Sequence, residues 1–153
     1  MRLKLEAAGH MWFAEVIRPE LVDVLQGCLP FSVRAVQSEW SGDVTDLLDG
    51  PDLGLPAGER GVPFQFPGQL VYDPSSHLYA LCFGEGRLQD GFGPLSAVPI
   101  ATIQTGLAEL LSFGRSLQFV GVQTVTLSNA IDESVGEPEP NEGRLMRVSL
   151  GTS

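Results

Sequence analysis

Short apolar stretches that alternate in hydropathy, each cut off by glycine or proline, recur along the whole chain and leave little room for any fold but a β-rich one. Leu3 and Leu5 alternate with Lys4 and Glu6. Trp12, Ala14 and Val16 alternate with Phe13, Glu15 and Ile17. With Ala8-Gly9-His10 turning the chain between them, these two stretches read as a hairpin. Residues 31–40, 69–73, 77–83, 97–103 and 119–127 have strand composition as well. Only two helices fit between them. One starts at Pro19, faces Leu21, Val22 and Leu25 inward and stops at Gly27 and Pro30. The other is capped by Thr105, turns Leu107, Leu110 and Leu111 inward and is expected to end at Gly114. Many antiparallel strands with two short capping helices predict a mainly β, closed barrel, which removes exposed sheet edges.

The 153 residues suit one domain, with 18 glycines and 11 prolines to serve the turns. Residues 1–128 are read as the barrel. Residues 129–153 are an acidic, proline-containing extension, whose stretch 144–150 could add a strand to a sheet edge and so support a homodimer. The net charge of −10 argues against nucleic acid and anionic membranes as partners. No signal peptide and no long apolar run are evident, so a cytoplasmic location is expected. Cys28 and Cys82 sit in apolar stretches and read as buried core residues. They form neither a disulfide framework nor a metal site, and no cofactor is implied.

Several motifs come in a recognisable order. They are Trp40-Ser41-Gly42-Asp43 after the third strand, Pro67-Gly68-Gln69 opening a central strand, Leu81-Cys82-Phe83-Gly84 closing the next, and Pro94-Leu95-Ser96 ahead of Ala101-Thr102-Ile103. Together with the element order, they resemble small bacterial cyclophilin-like proteins of unknown function, over about residues 1 to 128. The resemblance implies a cyclophilin-like barrel. It does not imply prolyl isomerase activity. The phenylalanine-histidine-arginine run that carries the active family's arginine is missing, as is its glutamine-glycine-glycine-aspartate run. Arg34 is the only arginine of the third strand, Ala97 falls near the family's pocket histidine, and Phe92 stands nearest its loop tryptophan. Losing the cation that polarises the proline amide removes the main catalytic device.

Candidate chemistry gathers at Glu39, Trp40, Ser41 and Asp43. There an indole would stack a ligand and a carboxylate would fix its polar group, beside a glycine that permits close approach. In the structural alternative Trp40 plugs a barrel end and Asp43 belongs to a turn. Asp43, Asp46, Asp49 and Asp52 recur at every third position, which does not suit a calcium loop, and they read as solvated turn residues. His77 would serve as acid or base if it shared an opening with Glu39. His10 reads as surface. The glycines at 84, 86, 91 and 93 lack the helix and the Lys-Ser or Lys-Thr of a phosphate loop. Barrel mouths are natural ligand sites, and the Pro/Gly-rich stretch 50–67 could cover one. The expectation is therefore a small polar metabolite held at a barrel-end pocket. One alternative is an enzyme acting on a small carboxylate or amide; the other is a structural subunit.

Overall fold

The computed structural model describes residues 1–39, 41–57, 66–86, 89–90, 93–94 and 97–130. Strands β1 (Arg2–Ala7) and β2 (His10–Val16) form the expected hairpin. Ala7 pairs with His10 around a two-residue turn in which Ala8 and Gly9 both take positive φ. That geometry matches the natural twist of paired strands, although alanine is an unusual occupant. A 3-10 turn (Pro19–Leu21) leads into helix α1 (Val22–Cys28). Strands β3 (Phe31–Gln37), β4 (Gly42–Leu48), β5 (Gln69–Asp73) and β6 (Leu78–Gly86) follow. Next come a small ladder of β7 (Gln89–Asp90) with β8 (Gly93–Pro94), then β9 (Val98–Ile103), helix α2 (Leu107–Val120) and β10 (Gln123–Asn129).

Eight of these strands close into an antiparallel barrel in the order β1-β10-β3-β4-β6-β5-β9-β2, and β2 returns to β1. The period of two sends Leu3, Leu5, Val33, Leu47 and Leu81 inward, into the main core. Both ends of the barrel are stoppered. Helix α1 and the strap 50–57 close one end. Leu21, Leu25 and Leu53 are buried there, and the Tyr79 hydroxyl donates to the Pro51 carbonyl at 2.7 Å. Helix α2 closes the other with Leu110, Phe113 and Leu117, while Trp12 packs on Phe113 and donates to the Gly106 carbonyl at 3.1 Å.

Three expectations need correction. Residues 42–48 are a full wall strand, not turn. Its outer face mixes Asp46 with Val44 and Leu48, which hides the alternation. Helix α2 does not stop at Gly114 but runs through it to Val120, so residues 119 and 120 are helical. Gly114 is there because a methyl group at that position would overlap the Phe83 ring. The glycine-rich stretch after Phe83 begins as strand, because β6 continues to Gly86. The expected tail strand at 144–150 lies outside the described residues. Among those described, no helix is long and apolar enough to cross a membrane.

Candidate functional site

Of the sequence candidates among the described residues, Glu39, Ser41 and Asp43 stand at one end of the barrel and His77 at the other. Glu39 is exposed just past the end of β3, and Ser41 is buried. Asp43, at the start of β4, is committed to structure. Its Oδ2 accepts the Glu85 N–H at 3.1 Å and an Arg115 N–H at 3.2 Å, tying β4 to β6 and to α2. Trp40 and Phe92 lie outside the described residues. His77 sits at the opposite end of the barrel, in the turn before β6, with φ of 60°. The run from Leu78 to Gly84, at ~3.3 Å per residue, puts roughly 20 Å between His77 and the Asp43 contacts. No single cavity can use Glu39 and His77 together.

His77 instead belongs to a clasp on the strap 50–57. Its Nε2 is 3.6 Å from Asp52 Oδ2, and its ring lies parallel to that of Tyr72. Asp52 Oδ1 accepts the Gly54 N–H at 2.8 Å and the Tyr72 hydroxyl at 3.2 Å, while the Tyr72 oxygen accepts the Leu53 N–H at 3.2 Å. The Gly54 N–H, helped by Tyr72 and His77, holds the Asp52 carboxyl below the usual range. Asp52, Tyr72 and the strap backbone are thus bonded to one another, and Leu21, Leu25 and Leu53 are buried at this end of the barrel. His10 is exposed, as expected, and stacks on Trp12.

The unexplained chemistry is on the outside of the wall. Strand registers align Val36, Asp46, Ala80, Val71 and Pro99 in one row across β3, β4, β6, β5 and β9. All of them point away from the barrel interior, since Leu47, Leu81 and Leu70 of the same strands point inward. Val71 and Ala80 of this row belong, with Val44, Cys82 and Ala97, to a second apolar cluster, each member 0% exposed. Asp46 is the one carboxylate in the row. Its Oδ1 is buried and has no hydrogen-bond partner. Burial pushes its pKa up to about 6. An unpaired carboxylate oxygen among valines and alanines is costly, and native proteins rarely keep one without a use. Cys82 is buried, as expected, and belongs to this outer cluster. Its thiol donates to the Gly84 carbonyl at 3.2 Å, and burial raises its pKa. Cys28 is half-buried.

Further round the wall a shallow hollow of about 130 Å³ is lined by Arg2, Phe13, Glu15, Thr102, Gln104 and Thr105. The Arg2 guanidinium lies 4.3 Å over the Phe13 ring and 3.7 Å from Glu15, so its charge is already partnered. A wider dish of about 350 Å³ surrounds the β1–β2 turn, between Glu6, His10, Thr124 and Thr126. Among the described residues no three of His, Cys, Asp or Glu gather as metal ligands.

Known structures share this barrel. The structure of McbB in complex with tryptophan superposes with a TM-score of 0.67 at 18% identity, covering 83% of this chain and 44% of McbB. The chain thus spans less than half the length of that protein. The solution structure of the hypothetical protein AF2241 from Archaeoglobus fulgidus superposes with a TM-score of 0.55 at 18% identity, covering 84% of this chain and 93% of the other. At that identity the likeness is one of fold. No family model and no curated protein matches the chain.

Asp46 is the residue that sequence reasoning missed. A signal was present: Val44-Thr45 and Leu47-Leu48 flank it in a stretch from 43 to 49 free of glycine and proline, which is strand composition. The regular spacing of four aspartates hid that signal.

Proposed function

We propose that this protein binds a small molecule against the outer wall of its barrel, beside Val36 and Asp46, which are partly exposed. The observation that carries the reading is the buried Asp46 Oδ1 with no partner inside the chain. A ligand that supplies the missing donor gains a hydrogen bond worth more than one at the surface, because the surroundings are apolar. The residues before β4, among them Glu39 and Ser41, lead into the same strand at its Val44 end. The Pro/Gly-rich stretch from 50 serves elsewhere, as the strap over the barrel end.

The tryptophan complex of McbB, a protein of similar fold, supports small-molecule binding as a use of such a barrel. The closed barrel with a helix at each end supports the cyclophilin-like reading. Isomerase activity is not part of the proposal, since Arg34, the one third-strand arginine, is held by Asp49.

The test is to titrate isotope-labelled protein with a panel of small aromatic and aliphatic compounds and map the amide shifts. Saturable shifts centred on Val36 and Asp46 are expected. Shifts confined to the hollow at Arg2 and Phe13, or none from the whole panel, would defeat the reading.

A further inference from the structure

We infer that the hollow on the outside of β1, β2 and β9 is a separate binding site, and that it takes a small α-amino acid in its zwitterionic form. The inference stands apart from the reading at Val36 and Asp46. In the barrel, β10 separates β1 from β3, and β5 and β6 separate β9 from β4. The hairpin register sets Arg2 opposite Glu15, and the next pairing sets Glu15 opposite Thr102. All three face outward, because Leu3, Ala14 and Ile103 beside them face the core. Phe13, Gln104 and Thr105 complete the lining.

Two opposite charges stand side by side in this hollow without closing on each other. Arg2 Nε is 3.7 Å from Glu15 Oε1, too far for a hydrogen bond. The guanidinium is steadied instead by the Phe13 ring, 4.3 Å below it. Among the described residues its terminal nitrogens make no hydrogen bond, and neither do the hydroxyls of Thr102 and Thr105 or the Gln104 amide. The side chains of Arg2 and Glu15 are 40% and 55% exposed, so a ligand can reach both.

Charge and size select the ligand. A simple anion would meet Arg2 but also the Glu15 carboxylate and a net charge of −10. A simple cation would meet Glu15 but also the Arg2 guanidinium. A zwitterion places its carboxylate on the terminal nitrogens of Arg2, in the forked geometry that a guanidinium favours, and its ammonium on Glu15. Each protein charge then gains a partner, and the balance of charge is unchanged. The hydroxyls and the Gln104 amide remain for a short polar side chain. A volume of about 130 Å³ is the share of roughly four waters, which suits glycine, alanine or serine and excludes a large ring.

The experiment titrates glycine into the isotope-labelled full chain at neutral pH and low salt, with amide shifts reporting the place of binding. Acetate, methylammonium and acetamide serve as comparators, since they keep roughly its size but lack one charge or both. Saturable shifts at Phe13, Glu15, Thr102 and Gln104 are expected. Glycine should bind about fivefold more tightly than any comparator, which is the upper worth of one exposed ion pair. Alanine and serine should bind at the same place. The advantage of glycine should vanish in Arg2→Gln and in Glu15→Gln. The comparator series uses the unmodified protein and needs no variant to fold. Acetate or acetamide binding as tightly as glycine would overturn the inference. So would the absence of saturable shifts in the hollow up to about 100 mM glycine. Neither result bears on the wall reading, whose own test lies at Val36 and Asp46.

Discussion

At the barrel end, Asp52 receives a backbone N–H and a tyrosine hydroxyl and stands beside an imidazole. On the wall six residues earlier, the Oδ1 of Asp46 receives nothing. Both are aspartates of one regularly spaced series. The first is wired into the fold, and its pKa is lowered. The second is desolvated without compensation, and its pKa is raised. A carboxylate whose bonds are complete explains itself as structure. One kept buried with a free oxygen is a cost to folding, and a partner from outside the chain is what would offset it.

The largest effect belongs to the sealed ends. Gly114→Ala should lower unfolding free energy by about 1–3 kcal/mol in urea titrations, despite the better helix propensity of alanine, because the new methyl meets the Phe83 ring. An unchanged midpoint would mean that this end is looser than the wall, and the comparison would break.

Asp46→Asn should act in the opposite direction. A folded-state pKa of about 6, above the ordinary aspartate value, means the folded protein binds this proton more tightly than the unfolded chain. Stability is therefore lost as pH rises from about 4 to about 6, and the deficit persists above that. After allowance for solvent screening, removing the charge should raise stability by up to about 2 kcal/mol at pH 8 and by less than about 0.5 kcal/mol at pH 4. Thermal melts of the two proteins across this range would show it. A variant that is destabilised at pH 8 would point to a hidden partner for Asp46.

Next comes Tyr79→Phe, which removes the bond to Pro51 and should cost about 1 kcal/mol. Amide exchange should quicken at Leu53 and Gly54 while the wall strands stay protected. Uniform quickening would show that strap and wall open as one unit. The smallest effect is expected from Asp49→Asn, which breaks the solvent-exposed pair with Arg34 and should leave the thermal midpoint unchanged.

Much of the barrel was legible locally. Strands β1, β2, β3, β5, β6 and β9 announce themselves by alternation and by the turn residues between them. β4 did not, because its aspartates look like turn chemistry when their neighbours in space are unknown. Gly114 misled for a related reason. A glycine near the end of an apolar helical run looks like a stop, and only the Phe83 ring across the barrel end shows why it sits in mid-helix. Of the site residues read from sequence, Asp43 and His77 have structural partners at opposite ends, and Asp46 was passed over.

Sequence alone determined that this chain buries alternate residues in a mainly β barrel capped by two helices, since the two-residue period is written into neighbouring positions. Only the tertiary structure decided which aspartate is satisfied. Asp43 finds Arg115 of helix α2, Asp49 finds Arg34 across the β3–β4 pair, and Asp52 finds Tyr72 of β5. Closure set Asp46 between Val36 and Ala80 instead. A carboxylate's chemistry depends on what surrounds it in space, and along the chain these four residues look alike.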